Sequence, residues 1–267
     1  MLDFAPYLIT ALIYALVAAD FWRNAKKPAS GKSLRWHAIM IAIGLALHGW
    51  LLYDSLFTGG LNLGLPNALS AILWLTVLIY WLTDFRHHLY SLQAFVLPPA
   101  AVFVLLQKIP AQHVLPYADQ PMFMTHLVIA LLAYSLFTFA VLHALLMAVA
   151  ERSLHQKSSP LKLPHFPPLM TMETLLFRVI AIGFLLLTLT LASGILFSEQ
   201  LFHQALKLNH KNVFAILSWL IFGSLLIGRY IYGWRGRIAI RWTIGGFIVL
   251  LLAYIGSKFV LEILLQR

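Results

Sequence analysis

The stretch LNHKNVFAILSWLIFGSLLIGRYIYGWRGRIAIRW, residues 208–242, holds a largely apolar segment from Val213 to Tyr232. About 20 such residues wound as a helix match a hydrocarbon core roughly 30 Å thick. The segment is preceded by His210 and Lys211 and followed by Arg235, Arg237 and Arg241. The arginines suit a cytoplasmic helix end. The His–Lys pair has two readings. It is either a polar edge in contact with water, or it faces a ligand at the membrane surface.

The rest of the chain extends this pattern. Of its 267 residues 61% are hydrophobic and 10% charged, and the mean hydropathy is +0.85. A soluble domain of this size needs more polar surface than that. The expected fold class is all-α, a polytopic integral membrane bundle of about eight transmembrane helices forming one domain over 1–267. The expected spans are 5–22, 36–57, 66–83, 91–107, 123–149, 172–198, 212–232 and 242–263. The fourth is the shortest and contains Pro98 and Pro99, so a kink or a re-entrant course is expected there. The first 22 residues lack a basic leader and a small-residue cleavage site, which reads as a retained first helix.

Loop charge sets the expected orientation. Arg23, Lys26, Lys27, Lys32 and Arg35 fall in one loop, Arg86 in another. Arg152, Lys157 and Lys162 share a third, and Arg235, Arg237 and Arg241 a fourth. The intervening loops carry far fewer, so both termini are expected outside. The net charge of +10 is therefore a topology signal and does not point to nucleic acid. With no cysteine, disulfide and thiolate chemistry are excluded for the chain alone. Phosphate-binding glycine motifs and internal repeats are absent, which weakens a transporter reading.

Eleven histidines stand out in a chain so poor in polar groups. His37, His87, His88 and His155 adjoin basic loops, where solvent or headgroup contact is expected. His165 lies in a proline-rich loop, and His113, His203 and His210 belong to outer loops or helix ends. His48 and His143 fall inside spans. Each is either a structural histidine bonded to a neighbouring helix or a functional group. His126 opens the fifth span from the outer side. It is 17 residues from His143, about 25 Å along a helix, so the two cannot share one metal. His126 and His210 are either interfacial polar residues or a ligand pair. Two imidazoles from different helices are able to hold a haem iron, with Lys211 pairing a propionate. Zinc fits less well, because the other ligands it wants are missing.

Two segments carry a family resemblance. THLVIALLAYSLFTFAVLHALL, from Thr125, is similar to the helix with an outer-face histidine in the cytochrome c assembly membrane proteins. HKNVFAILSWLIFGSLLIGRYIYGWRGRIAIRWTIGGFIVLLLAYIGSKF, from His210, is similar to that family's closing helix pair with its WRG turn. The chain resembles the shorter YpjD/HemX-type branch. The resemblance implies a haem-handling inner-membrane protein of cytochrome c assembly or a related haem pathway. It would exchange ligands rather than act as a self-contained enzyme. The implied cargo is haem b, and the implied partners are an apocytochrome c or a second assembly subunit. His126 matches the family's first outer histidine. The family's tryptophan-rich segment has no counterpart here, nor does its second outer histidine. Lys211 stands where the family has a lysine after an Asp-Pro pair, with His210 in place of the proline. His210 is therefore read as replacing the missing outer ligand, with Asp119 and Glu199 as candidate second partners for the ligand rings. The haem-contacting set is therefore His126, His210 and Lys211, with His48 and His143 as an inner transit pair. The alternatives are a regulator or scaffold acting on haem biosynthesis, and a small-molecule transporter.

Overall fold

The structure, a computed structural model, describes residues 4–24, 31–58, 60–87, 89–109, 120–155, 168–202 and 210–256. The side chains of 86, 87, 154, 155, 197–202, 210, 255 and 256 lie outside the described set. Among the described residues eight α-helices follow one another. They are α1 (Ala5–Asn24), α2 (Gly31–Phe57), α3 (Leu65–His87), α4 (Gln93–Leu106), α5 (Pro121–His155), α6 (Leu169–Phe202), α7 (His210–Tyr232) and α8 (Arg237–Leu251). A 3-10 turn, Tyr90–Leu92, leads into α4, and a π-helical turn, Leu252–Gly256, extends α8. No strand occurs among the described residues.

Seven of the eight are long and apolar enough to cross a membrane. The exception is α4. Its 14 residues rise about 21 Å, short of the roughly 30 Å core. Pro98 and Pro99 lie inside it, and both its ends are buried. The helices overrun the expected spans at their polar ends. α2 begins at Gly31 rather than 36, and α5 runs on to His155. Charged and amphipathic side chains continue a helix past the hydrocarbon while their heads stay wet.

The chain divides into two compact units. The first is Met1–Val114 with Leu145–Met172, and the second is Leu115–Ala144 with Glu173–Arg267. In the first unit, α1 buries Tyr7, Ala11, Tyr14, Ala18 and Phe21, three or four residues apart as a helix face requires. Gly44 of α2 lets the Tyr14 ring approach, since a Cβ there would stand 2.7 Å from Tyr14 Cε1. Several polar side chains inside the unit bond to neighbouring helices, as a medium without water favours. The Trp74 and Trp81 indoles donate to the α2 carbonyls of Leu45 and Ala38 at 2.8 and 3.0 Å.

The second unit has an aromatic centre. Phe137 of α5 stacks on Phe222 of α7, their centroids 4.0 Å apart. Gly183 of α6 and Gly246 of α8 make room for those rings. At one end α7 closes with Gly233 at φ +65°, and Trp234 N–H donates to Gly228 O at 3.2 Å. The left-handed glycine turns the chain out of the helix, and the hydrogen bond closes a loop of seven residues, 228–234. Glu173 of α6 braces the turn, accepting from Arg229 at 2.5 Å and Arg235 at 2.8 Å.

Candidate functional site

At the other end of the second unit, the start of α5, the last turns of α6 and the start of α7 come together. From Glu173 to Ser193 along α6 is about 30 Å of rise, so this end stands a membrane thickness from the arginine cluster. His126 sits half-buried in the second turn of α5. Its Nδ1 shares a hydrogen bond of 2.8 Å with Ser193 Oγ of α6. Gly194 follows, and even a Cβ there would come no nearer than 3.5 Å to His126 Cε1. Lys211, exposed on the first turn of α7, lies close enough for its ammonium to act electrostatically on the His126 ring. The spacing of hydrophobic residues put these segments in helices, and the antiparallel course of α5, α6 and α7 puts these side chains at one end.

His210 heads α7 beside Lys211, but its side chain lies outside the described set, as does that of Glu199. Asp119, His113, His203, His88 and His165 lie outside the described residues altogether. Ser193 is the partner of the His126 ring that sequence reasoning missed. A serine inside an apolar helix carries no signal of its own, and only the pairing of α5 with α6 singles it out.

The inner histidines belong to different units. In the first unit His48 is fully buried. Its Nε2 is 2.8 Å from Ser70 Oγ, and its Nδ1 is 3.5 Å from Tyr14 Oη. Gln107 adds a second bond to Ser70. In the second unit His143, also fully buried, stacks on Phe139 at 6.0 Å. His37, expected in contact with solvent or headgroups, is instead 2% exposed. It bonds Asp20 at 2.9 Å and Gln93 at 3.2 Å and stacks on Tyr90. The reason is the early start of α2. His37 lies nearly two turns inside that helix, three turns before His48 and on the same buried face.

Among the described residues no group of three or more His, Asp or Glu is placed to hold a metal ion. A haem brings four nitrogens of its own and asks the protein for one or two axial ligands. One held imidazole supplies one such ligand, and an ammonium within electrostatic range suits a propionate, whereas a bare metal ion would find too few ligands among the described residues.

Comparison with known proteins gives the same direction. The family described as cytochrome C assembly protein matches residues 36–265. The chain is 29% identical to the inner membrane protein YpjD of Escherichia coli (strain K12) over 244 residues, 91% of this chain and 89% of that one. It is 28% identical to an uncharacterized 28.8 kDa protein of Azospirillum brasilense, covering 97% of each. It is 32% identical over 109 residues to the cytochrome c biogenesis protein CcsA of Prochlorococcus marinus (strain MIT 9515), which covers 41% of this chain and 34% of the relative. No solved structure matches.

Proposed function

The chain belongs to the cytochrome c assembly protein family, and from that premise we propose that it binds haem as cargo at the His126 end of its second unit. The carrying observation is the His126 ring held by Ser193, with the Lys211 ammonium within electrostatic range of it. His126 Nε2 and His210 would hold the haem iron, and Lys211 would pair a propionate carboxylate where a surface charge costs little to keep. Haem supplies the iron and the porphyrin, and the protein supplies ligands that can be exchanged for those of an acceptor. The acceptor class is an apocytochrome c or a second assembly subunit. The protein sits in the bacterial inner membrane with both termini outside, which the loop-charge asymmetry supports. His48 in the first unit and His143 in the second each serve haem transit in this reading, and His48 must release Ser70 and Tyr14 to take part.

A second reading, a membrane regulator or scaffold, is favoured by one observation. The match to CcsA covers only a third of that relative. Absorbance of protein purified from haem-replete cells separates the two. Cargo binding predicts a Soret band that His126→Ala or His210→Ala converts from a six-coordinate low-spin spectrum to a five-coordinate or empty one. Lys211→Ala is expected to weaken binding with little spectral change. Replacing His48 and His143 together is expected to lower occupancy with the fold intact. Haem-free wild-type protein would refute the cargo reading.

A further inference from the structure

Ser193 has one hydroxyl proton and two neighbours. Its Oγ lies 2.8 Å from His126 Nδ1, and it donates to the Thr190 carbonyl of its own helix at 3.1 Å. The proton cannot serve both. The same construction occurs nearby in α6 without ambiguity. Thr188 donates to Phe184 O at 2.8 Å and accepts from Trp219 Nε1 of α7 at 2.8 Å. An indole nitrogen only donates, so there the hydroxyl must be bonded back to its helix and offer its lone pairs to the facing ring. Thr125, Ser135, Thr138 and Thr243 are back-bonded in the same way, a habit of hydroxyls inside apolar helices.

We infer that Ser193 is a positioning residue that accepts a hydrogen bond from His126 Nδ1–H, and so leaves the lone pair of the ring on Nε2 as the ligating nitrogen. A metal-binding imidazole needs its second nitrogen held in this way to fix both tautomer and ring direction. Here the holder is a hydroxyl on the neighbouring helix rather than a carboxylate. The tautomer stands on the hydrogen-bond geometry alone, while its use toward iron rests on the cargo reading above. Loss of Ser193 frees the ring to take the opposite tautomer and to turn about its bond to Cβ. The substitution Ser193→Thr keeps a hydroxyl at the same place.

The test uses the full chain, labelled with 15N-histidine and reconstituted in lipid bilayers without haem. Solid-state NMR distinguishes a ring nitrogen bearing hydrogen from one bearing a lone pair, and the difference spectrum against His126→Gln isolates His126. The expected wild-type pattern is a protonated Nδ1 with a bare Nε2, lost in Ser193→Ala and kept in Ser193→Thr. In parallel haem titrations Ser193→Ala is expected to bind about tenfold more weakly, the low end of the effect of removing such a partner, with Ser193→Thr near wild type. A protonated Nε2 in the wild type, or a His126 signal unchanged by Ser193→Ala, overturns the inference even if haem binds. If the tautomer behaves as stated and no form binds haem, the assignment of the tautomer to Ser193 stands, while its use toward iron falls with the cargo reading.

Discussion

Gly228 carries no side chain because the Trp234 ring occupies the place where a Cβ would project. The indole is rigid and tied to the cap of α7, so Gly228→Ala forces backbone or ring to shift. The expected cost is about 1–3 kcal/mol, typical of overpacking, read as an apparent melting temperature several degrees lower in detergent. An unchanged melting temperature would mean that Trp234 moves freely. His126 and Lys211 were legible in the sequence because they are rare polar groups at a predicted helix end. Ser193 was not, because a hydroxyl in an apolar helix bonds its own backbone and so has no need of a partner. His37 was misjudged for a different reason. Its neighbours in sequence are basic and wet, but its neighbours in space, Asp20, Gln93 and Tyr90, come from α1, α4 and the turn before α4.

The helices themselves were the most legible feature, since each long apolar run had nowhere else to go. Their ends were not, because a polar turn can continue a helix into the headgroup region or leave it. The junction of α7 and α8 shows what fixes such an end. Glu173, 9% exposed, accepts from Arg229 and Arg235, and the Arg229 guanidinium also lies 4.7 Å from the centre of the Phe177 ring. Glu173→Gln keeps the shape and removes the charge facing two cations. Hydrogen bonds to charged groups are worth roughly 1.5–3 kcal/mol, so a loss of about that size is expected. Arg235→Ala, whose side chain is 47% exposed, is expected to lose less. The measurement is thermal stability of both variants in the same detergent, and an equal loss would show that Glu173 acts through Arg235 alone.

At the scale of the molecule, orientation decides which compartment the His126 end faces. Counting lysines and arginines gives an expectation from sequence, both termini outside, because translocation reads charge before any fold exists. A reporter active only in the cytoplasm is expected to be silent when fused after Arg267 and active when inserted at 158–165. The reverse pattern would put His126 on the cytoplasmic side. Charge counting could not show how the chain divides into two units, since that depends on which helices share faces. The proposal that a held imidazole at one end of the second unit takes haem meets its most direct test in one absorbance comparison. Wild-type protein and His126→Ala are purified side by side from haem-replete cells. The account predicts a low-spin Soret band in the wild type, and its loss or conversion to a five-coordinate form in the variant. An identical spectrum in both would contradict it.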